Sequence, residues 1–139
     1  MGAASALVAA LQQPERFGGL VLYRLPLLWE DRSARKATLM HAADALPETY
    51  QGHRSLLKGA ANTNLPPATD ACWARLKAAN LPILILCHGN DAVHPVRSGE
   101  ALQHLLPHAT LKVEADEENA AKAFPATLAA WLRDACGIR

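Results

Sequence analysis

Apolar residues along this chain fall into two kinds of run. Long stretches mix apolar and polar positions at helical spacing, and short blocks are almost continuously apolar. Residues 2–13 are rich in Ala and Leu with no internal Gly or Pro, which predicts a helix that Pro14 stops. The block Leu20-Val-Leu-Tyr23 follows the turn Pro14-Glu-Arg-Phe-Gly-Gly19 and reads as a buried strand that ends before Pro26. Helical spacing returns from about 30 to 40 and from about 47 to 60, and Asn62–Pro67 reads as a loop. Thr69 or Asp70 is placed to cap a helix to about Ala79, before a second strand at Leu81–Cys87. Ser98 is read as the cap of a helix to about Leu106, which Pro107 breaks. Thr110–Val113 is a third strand. A last helix carries Phe124, Leu128, Trp131 and Leu132 on one stripe, with Gly137 near its end.

Helices alternating with short apolar strands predict βαβ crossovers and hence an α/β fold with a parallel sheet. About three parallel strands with flanking helices are visible. Such a sheet is small, and the strand at Leu20–Tyr23 is expected to present an open edge. At 139 residues the chain fits one domain.

Composition narrows the function classes. Half the residues are hydrophobic, enough for a core. The formal net charge of +1, without a long basic run, argues against nucleic acid as a partner. No apolar stretch approaches the roughly 20 residues of a membrane span. The N-terminal segment lacks a basic region and a cleavage site, so it reads as mature structure and not as a signal peptide. Cys72, Cys87 and Cys136 are odd in number and widely spaced, which favours a reducing, cytoplasmic location. No cofactor is expected.

The candidate chemistry sits where the second strand stops. His88, Asp91 and His94 fall in one loop after Leu81–Cys87, and open α/β sheets gather ligands and catalytic groups outside the carboxyl ends of their strands. Asp91 suits either a catalytic acid or an Asx-turn. His88 is expected to bond backbone at the strand end. The trio has metal-compatible residue types, but one loop seldom supplies three ligands at this spacing, and no metal is expected. Cys87 should face away from its neighbour His88, as adjacent strand residues do, and reads as a buried structural cysteine. Ser5 reads as helix packing, Trp73 and Trp131 as core, and Glu114, Asp116, Glu117 and Glu118 as a solvated loop with favourable helix N-terminal charge. Trp29, with Glu30 and Arg32, is either a substrate-cleft residue or an aromatic anchor.

Three segments in this order resemble the C-terminal half of an α/β-hydrolase. Met1-Gly-Ala-Ala-Ser-Ala-Leu7 through Gln13–Tyr23 resembles the helix after the nucleophile turn and the strand that follows it. Pro26-Leu-Leu-Trp-Glu-Asp-Arg32 is similar to the entry into a cap. Leu81–Pro95 with Ser98–Leu111 resembles the strand, acid loop and following helix–strand unit. The resemblance implies a partial α/β-hydrolase fold over 1–139, with about 28–68 as a helical cap segment. The family's nucleophile lies in Gly-x-Ser-x-Gly. On this resemblance Met1-Gly2 would close that motif, Met1 would offer an oxyanion backbone N–H, and the serine would stand one residue before Met1. Asp91 matches the family's acid, which orients and stabilises a histidine. The matching histidine belongs between about 114 and 125, and none occurs there. His94, three residues after Asp91, is the displaced candidate base.

A complete relative is therefore expected to cleave an ester, lactone or other small acyl substrate, and this chain to be inactive alone. The competing reading is a non-catalytic module that binds a partner, or its own copy in a homodimer, through the open strand edge.

Overall fold

Ile83-Leu-Ile-Leu-Cys-His88 is buried at all six positions, which only a strand flanked on both edges and covered on both faces achieves. It is the centre of a three-stranded parallel sheet of order β1-β2-β3, formed by Leu20–Tyr23 (β1), Ile83–His88 (β2) and Thr110–Glu114 (β3). Leu20 pairs with Ile83 and Tyr23 with Leu86 on one side, and Leu84 pairs with Thr110 and His88 with Glu114 on the other. The computed structural model describes residues 2–26, 32–62 and 70–137. Among them are six α-helices: α1 (Gly2–Gln12), α2 (Arg32–Ala45), α3 (Gln51–Asn62), α4 (Asp70–Ala78), α5 (Val96–Leu105) and α6 (Glu117–Cys136).

The chain divides into two compact units. One takes Met1–Pro26 and Ala68–Arg139, the other Leu27–Pro67. In the larger unit α1 buries Ala4, Leu7, Ala10 and Leu11, and it packs on β1 and α4. Leu84 and Leu86 project from β2 onto Ala120 and Phe124 of α6, with Val21, Leu128 and Trp131 at the margin. Ile85 and Cys87 project the opposite way, where α5 packs. That packing is close enough to require glycine: a Cβ on Gly99 would lie 2.6 Å from Cys87 Sγ and 3.0 Å from Leu111 Cδ1. The smaller unit is built around the packing of α2 on α3 and carries a Lys58–Asp44 ion pair at 2.8 Å. Tyr50 stands edge-on to His53, with ring centroids 5.8 Å apart.

Boundaries shift for identifiable reasons. β2 begins at Ile83 and not at Leu81, because Pro82 has no N–H to give the ladder; its carbonyl still accepts from Leu20 N–H at 2.9 Å. Helix α2 runs on to Ala45, and α3 begins only after a 3₁₀ turn at Glu48–Tyr50. Ser98 does not cap α5. The cap position falls to Pro95 in extended conformation, a residue whose fixed φ suits a helix start, and Ser98 lies buried inside the first turn with its N–H on the Pro95 carbonyl. Asp116 caps α6, its Oδ1 accepting from Asn119 N–H at 2.9 Å, and Gly137 ends that helix at φ +64°. Trp131 is a half-buried margin of the core, and Trp73 is half-buried on α4.

Candidate active site

At the carboxyl end of β2 the chain must turn sharply. Gly89 N–H donates to the Glu114 carbonyl at 2.9 Å, and a Cβ at Gly89 would collide with the Ala115 carbonyl oxygen, so only glycine passes. Asn90 then takes a positive φ of 61°, a conformation asparagine tolerates better than most residues. This turn delivers Asp91 into the loop over the sheet end. Its Oδ1 accepts from Val93 N–H at 3.0 Å and from His94 N–H at 2.9 Å, while Oδ2 lies 2.9 Å from His94 Nδ1. The two roles offered for Asp91 are thus divided between its two oxygens: one forms the Asx-turn and the other holds an imidazole.

The charge state of Asp91 follows from that geometry. Burial pushes its carboxyl up, since the side chain is only 11 % exposed. Bonds from the His94 ring, His94 N–H and Val93 N–H outweigh the burial and bring the pKa down to about 2. An ionised carboxylate only accepts, so His94 Nδ1 carries a proton, and in the neutral ring that leaves Nε2 bare. The ring is a quarter exposed, and it lines an open depression of about 510 Å³ with Arg24, His88, Asp91, Asp116 and Glu117. A neutral imidazole with Nδ1 anchored on a carboxylate and Nε2 open to a cleft is the arrangement a general base needs.

His88 is buried beneath this pair, its Nδ1 2.8 Å from the Gly89 carbonyl, the backbone bond expected at a strand end. Its Nε2 lies 3.8 Å from Asp91 Oδ2. Cys87 points to the other face, and burial pushes its thiol up to about 11, so it is a packing residue with no thiolate to offer. Among the described residues no group of His, Cys, Asp and Glu is arranged to hold a metal. No hydroxyl or thiol side chain lines the depression among the described residues. Also among them, no helix is long and apolar enough to cross a membrane. Met1, Trp29, Glu30 and Thr69 lie outside the described residues, as does the side chain of Arg32.

Two residues of the site escape a reading by motif. Arg24, the first residue past β1, reaches Asp91 Oδ2 through Nε at 3.4 Å and Glu117 Oε1 through an Nη at 2.7 Å. Glu117 stands in the segment where a family histidine would be sought, and its carboxylate is taken up by Arg24. The available signal was topological: Arg24 directly follows a parallel strand, the same address as Asp91.

No protein-family model and no curated protein sequence matches the chain. Solved structures do. The chain is similar to a thermophilic esterase (TM-score 0.50, 20% identity), with 96% of this chain covered and 63% of that one. It is also similar to the enol-lactonase from Burkholderia xenovorans LB400 (TM-score 0.51, 18% identity), again with 96% of this chain and 63% of that one covered. The chain spans less than two thirds of the length of either. With its three parallel strands and flanking helices, this chain has a partial α/β-hydrolase fold.

Proposed function

We propose that this chain is the acid-loop and cap portion of an acyl hydrolase whose complete form cleaves an ester, lactone or other small acyl substrate. The observation that carries the reading is the 2.9 Å contact between Asp91 Oδ2 and His94 Nδ1 at the carboxyl end of β2. In this reading Asp91 orients and charges the imidazole, and His94 Nε2 takes the proton from a nucleophile supplied outside residues 1–139. About 28–68 serves as the helical cap segment, and Met1 N–H contributes to an oxyanion hole. His94 replaces the histidine that 114–125 lacks.

The test compares residues 1–139 with a form extended upstream, using p-nitrophenyl acetate, a small lactone and a fluorophosphonate probe. The short form should show neither turnover nor labelling. The extended form should label at a serine and lose about 10²–10⁴-fold in kcat on His94→Gln. Fluorophosphonate-sensitive turnover by 1–139, or full activity of His94→Gln in the extended form, would overturn the proposal.

A second reading rests on the outer strand. Leu20 N–H and Arg24 N–H both bond β2. In a parallel ladder the backbone groups of Val21 and Tyr23 then point away from β2. Tyr23 is 41% exposed. On this reading the edge of β1 pairs with a second copy, and light scattering over a concentration series reads it directly. A monomer at every concentration argues against pairing.

A further inference from the structure

Two imidazoles compete for one carboxylate in this site. Asp91 Oδ2 lies 2.9 Å from His94 Nδ1 and 3.8 Å from His88 Nε2, so a shift of under 1 Å would let His88 donate instead. Arg24 decides between them. A guanidinium is a donor at every nitrogen and is not deprotonated in proteins. Its Nε faces His88 Nε2 at 3.4 Å, so that ring nitrogen must be the bare one. The proton of His88 then sits on Nδ1, where the Gly89 carbonyl accepts it at 2.8 Å. With its proton turned to the backbone, His88 has nothing to give Asp91.

We infer that Arg24 is a positioning residue: its Nε–H, lodged between His88 Nε2 and Asp91 Oδ2, fixes the tautomer of His88 and reserves the carboxylate for His94. The inference rests on the reading of Asp91 and His94 as the acid–base pair.

The backbone supports it. Arg24 has a φ of +55°, a left-handed conformation unfavourable to a residue with a Cβ. That bend turns the side chain from β1 over the sheet end, and the sheet register brings β1 alongside β2 up to Tyr23–Leu86. Glu117 at the start of α6 grips the far end of the guanidinium at 2.7 Å, and the Tyr23 ring lies 5.6 Å from the guanidinium carbon. Arg24 is thus held by α6 and by its own strand while Nε works between the histidine and the acid. The other charged groups lining the depression, Asp116 and Glu118, belong to the start of α6.

Nitrogen-15 NMR of the histidine rings in residues 1–139 tests this without any substrate. The wild type should show His88 protonated on Nδ1 and bare on Nε2, with a hydrogen-bonded Nδ1 proton on His94. Arg24→Met, which keeps the stem and removes every donor, should shift His88 toward the Nε2-protonated form and cost His94 its Nδ1 signal. Arg24→Lys, again a donor only, should restore the His88 tautomer. Glu117→Gln breaks the outer ion pair and should leave the tautomer as in wild type, which separates positioning from a merely structural tie to α6. An Nε2-protonated His88 in the wild type, an Arg24→Met spectrum identical to wild type, or the same change in Glu117→Gln would each overturn the inference. If Arg24→Met does not fold, the wild-type tautomer and the Arg24→Lys and Glu117→Gln spectra still decide it. An Nε2-protonated His88 in the wild type, or an Arg24→Met spectrum unchanged from wild type, sinks the role of Arg24 alone. The expected tautomers in the wild type and their loss in Arg24→Met, together with full hydrolysis by His94→Gln in the extended form, sink the acid–base reading instead.

Discussion

The two faces of the sheet are packed to different standards. On one, α5 comes so near that Gly99 has no room for a Cβ between Cys87, Ile85 and Leu111. On the other, α6 covers Leu84 and Leu86 but leaves Tyr23 exposed, and a groove of about 550 Å³ opens between β3 and Trp131. Cys87 and His88 are neighbours in sequence, yet they fall on opposite sides of this divide. The tight face supplies rigidity. The carboxyl end of the loose side, beside the start of α6, carries the polar groups, because two imidazoles, a guanidinium and four carboxylates need room and water that a close-packed interior does not give.

Hollowing the tight face should have the largest effect. Ile85 is fully buried, and Ile85→Ala should cost about 2–5 kcal/mol, read as a fall in the urea midpoint. A loss below 1 kcal/mol would mean that α5 settles into the space and that the face is softer than its contacts indicate. Overfilling the same face should cost less. Gly99→Ala gains up to about 1 kcal/mol of helix propensity but must push back Cys87 Sγ, for a strain of about 1–3 kcal/mol, so a net loss is expected. A more stable Gly99→Ala would reverse that order of effects.

The smallest effect belongs to the loose face and depends on pH. The Asp91 carboxyl sits at about 2 in the fold, against about 3.9 in an unfolded chain. Its contribution is therefore complete above pH 4 and is lost as the pH falls through 2. Beside an open depression, solvent screening holds that contribution to about 1 kcal/mol. Urea midpoints of wild type and Asp91→Asn should differ at pH 5 and converge near pH 2. A constant difference across that range would mean that the aspartate stabilises by shape and not by charge.

Much of the fold was legible in the sequence because it obeys local rules. The three apolar blocks became three strands, and Pro14 and Gly137 marked helix ends where backbone chemistry requires them. Asp91 and His94 were legible for the same reason: they share one short loop, and their contact is local. Arg24 and Glu117 were not, because they lie 93 positions apart and meet only through the register of β1 beside β2 and the return of α6 over the sheet end. Ser98 shows the opposite failure. A good capping residue was available, but Pro95 took the position three residues earlier, and the serine went inside, where its hydroxyl has no hydrogen-bond partner among the described residues.

Cys87 carries one more consequence. Its thiol is shielded by α5 and held near pKa 11, so an alkylating reagent reaches it as a thiolate only when that helix lifts from the sheet. Labelling of the peptide that contains Cys87 therefore runs as a clock for that single opening, set by the local free energy of the α5 face and not by global unfolding.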